Sequence, residues 1–324
     1  PLVVIMVVLV ILLQITYFGQ NIQVIFLSLL FFYRALNVLI VMQGQWISFL
    51  AVTGSMENMQ SFLEELDNNK EQYGSKSFES FKNELKFNSI NFGYKINDTI
   101  LKNINISIKK NTTVAFIGES GSGKTTLVNI LTGLLPINSG SYIIDSIDSK
   151  EFDMRTFQNR IGYITQEPVI FDDNVFNNVT FWDEKSPKNL LKFWEALRKA
   201  SILEFVESLP EKEQTPLGNN GIMVSGGQKQ RLSIARELYK EIDILIMDEA
   251  TSALDSETER AIQENIDALK GQYTIIIIAH RLSTIKNADE IVLMAKGEII
   301  DKGSFTELIG SNETFKRMVN LQEL

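Results

Sequence analysis

The sequence of 324 residues contains no cysteine, which excludes a disulfide framework, a thiolate metal site and a thiol nucleophile. Acidic residues outnumber basic ones by 40 to 31, so the formal net charge is −9. Because a nucleic-acid-binding surface must neutralise phosphates, this balance argues against nucleic acid as a partner. The overall charge does not exclude an anionic nucleotide, since a local site can hold one.

Charged residues are nearly absent from the first 56 positions, where Arg34 is the only one. One apolar run covers 1–18, and after a short polar turn a second runs from 22 to about 50. A helix from residue 22 to Trp46 would extend roughly 36 Å, enough to cross a hydrocarbon core of about 30 Å. Aromatic residues near the ends of the runs suit the membrane interface. We therefore predict a transmembrane hairpin within 1–56.

Two other interpretations of 1–56 fit the sequence less well. A secretory signal peptide would have a basic start and no second apolar span immediately after it. A buried hairpin of a soluble protein would usually show polar stripes. Two helices are too few for a transport pathway, so we expect this segment to be the carboxyl-terminal part of a longer transmembrane domain.

Arg34 would lie near the middle of the bilayer. An arginine at that depth costs at least about 2.5–3.5 kcal/mol on insertion scales, so it should face a partner or a wet cavity. We expect it to pair with a group on another helix. Contact with an anionic group of a substrate is the alternative.

The remainder of the sequence divides into a polar connection and a domain. Residues 57–83 are mostly polar, and the apolar residues among them recur at helical spacing, which predicts a helical extension that ends near Gly74 and a linker up to residue 83. Runs of unbroken apolar residues at 244–247 and 275–279 are typical of parallel strands covered on both faces. Further strands are predicted at 85–92, 104–108 and 113–117, and helices at 124–134, 187–199 and 226–238. An α/β domain is therefore predicted over 84–324.

Residues 118–125 fit the pattern G-x-x-x-x-G-K-[ST], between a predicted strand and a predicted helix. The glycines let backbone N–H groups surround phosphate oxygens at a helix N-terminus. Lys124 can reach the β- and γ-phosphates, and the Thr125 hydroxyl can hold Mg²⁺. ATP and Mg²⁺ are thus the expected cofactors. The expected phosphate-binding residues are Gly118, Glu119, Ser120, Gly121, Ser122, Gly123, Lys124, Thr125 and Thr126.

Ionisable residues follow two of the buried strands. Asp248 and Glu249 come directly after 244–247, where Asp248 can hold the metal and Glu249 can polarise an attacking water. His280, the single histidine, follows 275–279. Ligands of parallel sheets bind outside the carboxyl ends of the strands, so we expect His280 to contact the γ-phosphate rather than to be structural.

A second glycine-rich segment, Ser225, Gly226, Gly227 and Gln228, leads into the predicted helix at 226–238. A serine and two glycines at a helix start can form a second anion site, because the N–H groups and the positive end of the helix dipole point outward. The chain would then carry two phosphate sites about a hundred residues apart.

These motifs together resemble the ATP-binding cassette of ABC transporters, over about residues 84–322. The motifs are 118–125, 225–228, Asp248-Glu249, 252–255 and His280. The preceding apolar helices are similar to the last two membrane helices of exporter-type members. The resemblance implies an α/β P-loop ATPase with a parallel-sheet core, an antiparallel β subdomain and a helical subdomain at about 167–236.

The resemblance also implies further roles. Tyr94 would stack on adenine, and Gln166 would reach Mg²⁺ and the attacking water. Segment 225–228 of one subunit would close on the ATP held at 118–125 of a second copy or of a paralogous half-transporter, with 252–255 at their interface. The two anion sites cannot meet within one domain, but in such a head-to-tail pair each can contact a nucleotide that the two subunits share.

The expected activity is ATP hydrolysis that drives an exporter or flippase in a bacterial cell membrane, with the ATPase domain in the cytoplasm. Residues 31–34 are similar to the last membrane helix of lipid-linked oligosaccharide flippases, and the substrate stays open. Val224 and Asn219 depart from the family's usual Leu and Glu, and Asn219 replaces the acid that the resemblance implies for contact with the membrane domain. A non-transport ABC ATPase and an importer ATPase subunit are the alternatives.

Overall fold

A computed structural model describes residues 2–18, 22–71, 74–95, 98–248, 256–279, 281 and 284–322. The chain divides into two compact units, Pro1–Gln72 and Tyr73–Leu324. Each unit is described by itself.

The first unit consists of two helices, α1 at Leu2–Phe18 and α2 at Ile22–Asn68. Among the described residues, α2 is the one helix that is long and apolar enough to cross a membrane, whereas the apolar part of α1 is shorter. The predicted helix beyond residue 50 is confirmed, because α2 runs without a break from apolar into polar sequence. Most apolar side chains of α2 are exposed.

The second unit is built on a six-stranded sheet in the order β10-β9-β3-β8-β7-β6. Its strands are β3 Thr113–Ile117, β6 Ile161–Ile164, β7 Ile244–Asp248, β8 Thr274–Ile278, β9 Glu290–Ala295 and β10 Glu298–Gly303. All neighbours are parallel except β9 and β10. The parallel arrangement predicted for the two unbroken apolar runs is confirmed.

The unbroken apolar pattern of the central strands has a direct cause. Every residue of β3 and β8 is buried. Alternate residues point to opposite faces of the sheet, so that Ala115 packs in one hydrophobic cluster and Phe116 in another. Both faces are therefore covered, and neither face needs polar residues.

The cluster around Phe116 continues into a second, antiparallel sheet in the order β2-β1-β4-β5. Its strands are β1 Glu84–Phe92, β2 Leu101–Lys109, β4 Ser139–Ile144 and β5 Ile147–Asp148. This sheet is the antiparallel β subdomain that the resemblance implied.

The cluster around Ala115 includes side chains from several helices. The helices of this unit are α3 Lys124–Leu131, α4 Met154–Gln158, α5 Val175–Thr180, α6 Pro187–Lys199, α7 Leu203–Ser208, α8 Gly226–Tyr239, α9 Ser256–Leu269, α10 Phe305–Ser311 and α11 Glu313–Gln322. α6 has its predicted bounds. α3 ends three residues earlier than predicted, because Gly133 turns the chain with a positive φ of 72°.

Candidate nucleotide site

The carboxyl ends of four neighbouring strands meet at one edge of the six-stranded sheet. β3 leads into Gly118, and β7 ends at Asp248. The Ala279 N–H, just after β8, donates to the Phe116 carbonyl at 3.1 Å. Ile164 at the end of β6 is aligned with Met247 of β7. Sequence segments far apart in the chain, including 118–125 and the segment after β6, therefore lie along the same edge, with the ends of β8 and β7 between them.

The loop from Gly118 to Gly123 closes around the side chain of Lys124. The buried ammonium donates to the carbonyl oxygens of Gly118 at 2.8 Å and Glu119 at 3.0 Å. Gly118 has a φ of +151°, and a Cβ there would lie 2.1 Å from the Met294 carbonyl oxygen, so no other residue fits. The loop thus holds a positive charge at its centre.

The start of α3 is suited to an anion. Its N-cap, Gly123, has no side chain to accept from the first N–H groups of the helix. The Ser122 hydroxyl is buried and lacks a hydrogen-bond partner among the described residues. Of the other predicted phosphate residues, Glu119, Ser120, Gly121 and Thr125 are exposed, and Thr126 is half-buried. Lys124, the N-terminus of α3 and the Ser122 hydroxyl therefore fit a phosphate group.

Asp248 is half-buried at the end of β7 and accepts a hydrogen bond from the Tyr163 hydroxyl at 3.1 Å. Burial, followed by the charge of Asp248 and this hydrogen bond, raises the pKa of Tyr163 well above its usual range. The Asp248 carboxylate and the Thr125 hydroxyl are hard oxygen donors of the kind that Mg²⁺ prefers, so the residues present fit that ion.

Gln166 is exposed, in the segment that follows β6. Two consecutive residues of α8 hold this segment on both sides of the glutamine. The Glu237 carboxylate accepts from the Tyr163 N–H at 3.3 Å, and the Arg236 guanidinium donates to the Val169 carbonyl at 2.8 Å. The same guanidinium donates to the Asn178 carbonyl at 2.7 Å. Burial lowers the pKa of Arg236, partly offset by the charge of Glu237.

Tyr94 lies just beyond β1, and its ring is 59% exposed. It meets Phe92 edge to face, with ring centroids 5.1 Å apart. One aromatic residue thus supports the other and leaves the Tyr94 ring accessible for stacking, as the predicted adenine contact requires.

Segment 225–228 begins α8 with a reciprocal pair of hydrogen bonds. The Ser225 N–H donates to the Gln228 side-chain oxygen at 2.8 Å, and the Gln228 N–H donates to the Ser225 hydroxyl at 3.4 Å. Gly226 is exposed and Gly227 is buried. The segment was predicted as an anion site, and it is also a capping box, which its Ser-x-x-Gln spacing could have indicated.

The two departures from the family pattern have different surroundings. Val224 is buried in the hydrophobic cluster that contains Ala115, as expected for a residue that packs. Asn219 is exposed, in a short turn at Asn219–Gly221.

Several predicted residues lie outside the described part of the chain, namely Glu249, His280 and 252–255. Conversely, Tyr163 and Arg236 contact site segments and were not singled out in the sequence. Nothing in their local pattern marks them, because both act across strands or between a helix and a loop.

Comparisons with known proteins agree with this geometry. The ABC transporter family matches residues 101–252. An ATP-dependent lipid A-core flippase from Haemophilus influenzae is 36% identical over 302 residues, which are 92% of this chain and 50% of the relative. The heterocyst differentiation ATP-binding protein HepA from Nostoc is 37% identical over 266 residues, which are 81% of this chain and 43% of the relative.

A solved structure, described as a bacterial Atm1-family ABC exporter with ATP bound, superposes with a TM-score of 0.75 and 29% identity. The match covers 84% of this chain and 48% of that one. The chain spans about half the length of the curated relatives that it matches. With the P-loop fold and the sequence matches taken together, the chain contains the ATPase domain of the ABC transporter family.

Proposed function

We propose that this chain binds ATP with Mg²⁺ at the carboxyl edge of the six-stranded sheet and hydrolyses it to drive transport across a membrane. The observation that carries the proposal is the shared edge, along which lie the loop around the buried Lys124, the end of β7 at Asp248 and the segment that leads to Gln166. Such an edge is where parallel α/β sheets bind ligands.

The proposed division of labour follows from the chemistry of each group. The loop and Lys124 hold the β- and γ-phosphates, and the Ser122 hydroxyl adds a donor. Thr125, Asp248 and Gln166 hold Mg²⁺, which when bound neutralises developing charge on the phosphates. Glu249 acts as the general base toward water, His280 contacts the γ-phosphate, and Tyr94 stacks on adenine.

Transport would require a second copy of the chain or a paralogous partner. In that arrangement, Ser225–Gln228 of one subunit faces the ATP held by the loop of the other, so ATP favours the closed pair and hydrolysis releases it. α2 supports a membrane location, because a helix of 47 residues with exposed apolar side chains is fused to the ATPase unit in one chain. A non-transport ATPase or a separate importer subunit would not need such a helix.

The substrate class that the relatives support is a lipid with a polar headgroup, since several relatives are named lipid A-core flippases. Arg34 is exposed on α2. We propose that its first role is to pair with a polar group on another membrane helix. A headgroup contact is the alternative, and substrate-stimulated ATPase of the Arg34→Ala full-length transporter separates the two.

The test of the ATPase is Glu249→Gln, with Glu241→Gln, three residues before β7, as the matched control. Steady-state phosphate release should fall to background for Glu249→Gln, while ATP binding persists and an ATP-bound dimer accumulates. Glu241 is largely exposed and should tolerate the change. Undiminished turnover of Glu249→Gln would contradict the assignment.

A further inference from the structure

Tyr163 lies in β6 and joins three parts of the candidate site. Its hydroxyl donates to Oδ2 of Asp248 at 3.1 Å. Its backbone N–H donates to Oε2 of Glu237 in α8 at 3.3 Å. It precedes Gln166 by three residues. None of the roles proposed above uses this side chain.

We propose that Tyr163 is a positioning residue for the divalent cation, which orients the Asp248 carboxylate through the hydroxyl hydrogen bond. The proposal rests on the Mg²⁺–ATP function given above. A carboxylate at the end of a strand can rotate about its χ2 torsion, and a fixed donor on one oxygen selects a single orientation.

The hydroxyl suits this task because it is neutral. A lysine or arginine in the same place would cancel much of the negative charge that attracts the metal. A phenol orients the carboxylate and leaves that charge in place. An ordinary phenol is protonated at neutral pH, so the hydroxyl is available as a donor.

The strand makes the donor rigid. In β6, Tyr163 is aligned with Ile246 of β7, and Ile164 with Met247. The backbone hydrogen bonds between the two strands therefore fix the position of Tyr163 along the strand relative to Asp248. The bond from its N–H to Glu237 adds a second attachment. A partner held by regular structure keeps a ligand in place more closely than one on a loop.

The experiment is Tyr163→Phe in the full chain in detergent, which removes one oxygen and keeps the ring. The first measurement is the Mn²⁺ affinity, by electron paramagnetic resonance, with a non-hydrolysable ATP analogue bound. We expect it to weaken by about 10-fold or more, the lower end of what loss of an outer partner of a metal ligand costs. The second is the affinity for the analogue in EDTA, which should be unchanged.

The matched control is Tyr239→Phe. The Tyr239 hydroxyl donates to Oδ2 of Asp183 at 2.7 Å, which is the same kind of bond outside the predicted metal ligands. This variant should keep the wild-type Mn²⁺ affinity. In an Asp248→Asn background, Tyr163→Phe should cause no further loss, because the group that it orients is already gone.

The outcomes separate the two proposals. Wild-type Mn²⁺ affinity in Tyr163→Phe would overturn the role of Tyr163 and leave the ATPase proposal intact. Loss of analogue binding in EDTA would also overturn it, since the residue would then support the fold of the whole site. If the wild-type chain binds no analogue with or without metal, the proposed function fails, and this inference falls with it.

Discussion

Helices α3 and α8 both begin at glycine-rich segments, and the N–H groups of their first turns find acceptors in different ways. α3 starts after Gly123, which offers no side-chain acceptor, and the buried Lys124 ammonium lies in the loop just before it. α8 starts after Ser225, whose hydroxyl and backbone exchange hydrogen bonds with Gln228. The first helix start is arranged for an external anion, whereas the second is already capped by its own chain.

The difference shows that a glycine-rich helix start is not by itself one kind of site. At α3 the anion supplies acceptors that the chain does not provide, so ligand and local structure depend on each other. At α8 the capping box satisfies the N–H groups of Ser225 and Gln228 before any ligand arrives. The Ser225 hydroxyl accepts a bond there and keeps its own proton to donate. A phosphate would therefore add to the second start rather than complete it.

The largest expected effect is on ATP affinity, in a comparison of the Lys124→Ala and Lys229→Ala variants. Each ammonium donates to a loop carbonyl, Lys124 to Gly118 and Lys229 to Asn220 at 2.7 Å. Lys124 is buried at the centre of its loop, whereas Lys229 is half-buried. ATP affinity, measured by calorimetry, should fall about 100-fold or more for Lys124→Ala, because charge-assisted bonds to phosphate are lost.

Lys229→Ala should change ATP affinity by about threefold or less, as expected for a partly exposed charge. Equal losses in the two variants would break the comparison, since both helix starts would then bind the nucleotide in the same way.

A smaller effect is expected from Ser225→Ala. The Gln228 N–H would lose its acceptor, and the free energy of unfolding should drop by about 1 kcal/mol. Urea unfolding followed by circular dichroism measures this. Ser120→Ala, an exposed serine of the other loop, is the matched control and should leave the urea midpoint unchanged. A midpoint that Ser225→Ala does not move would show that α8 has no need of its cap.

The smallest effect concerns pH. α10 begins with the same kind of capping box, built from Ser304 and Glu307. The Ser304 N–H donates to the Glu307 carboxylate at 2.8 Å, and the Glu307 N–H donates to the Ser304 hydroxyl at 3.3 Å. The bonds from the Ser304 backbone and hydroxyl lower the pKa of Glu307. Its contribution to stability is therefore complete above the ordinary glutamate pKa of about 4.3 and is lost as the pH falls through the lowered value.

Glu307→Gln should remove this part of the acid sensitivity, and Gln228→Glu should introduce it at α8. The check is the urea midpoint measured between about pH 6 and pH 3. The reverse pattern, with Gln228→Glu insensitive to acid, would mean that the box at α8 does not form.

Much of the second unit could be predicted because its signals are local. The unbroken apolar runs of β7 and β8 and the bounds of α6 follow from periodicity and capping, and the loop before Lys124 follows from its glycine spacing. The contacts of Tyr163 and Arg236 could not be predicted. They depend on the register between β6 and β7 and on where α8 lies beside the segment after β6, and neither is encoded within a few residues.

The order of strands in the six-stranded sheet has a consequence for folding. β3 pairs with β8, so that Thr113 aligns with Ile275 and most of the unit lies between them. Parallel strand pairs with such a long sequence separation form late, because closing the loop between them costs chain entropy before their contacts can stabilise the pair. The nucleotide site thus exists only after the whole sheet has closed. A nucleotide that binds only the formed sheet therefore stabilises the entire unit, by an amount that rises with the logarithm of the nucleotide concentration once that concentration exceeds Kd.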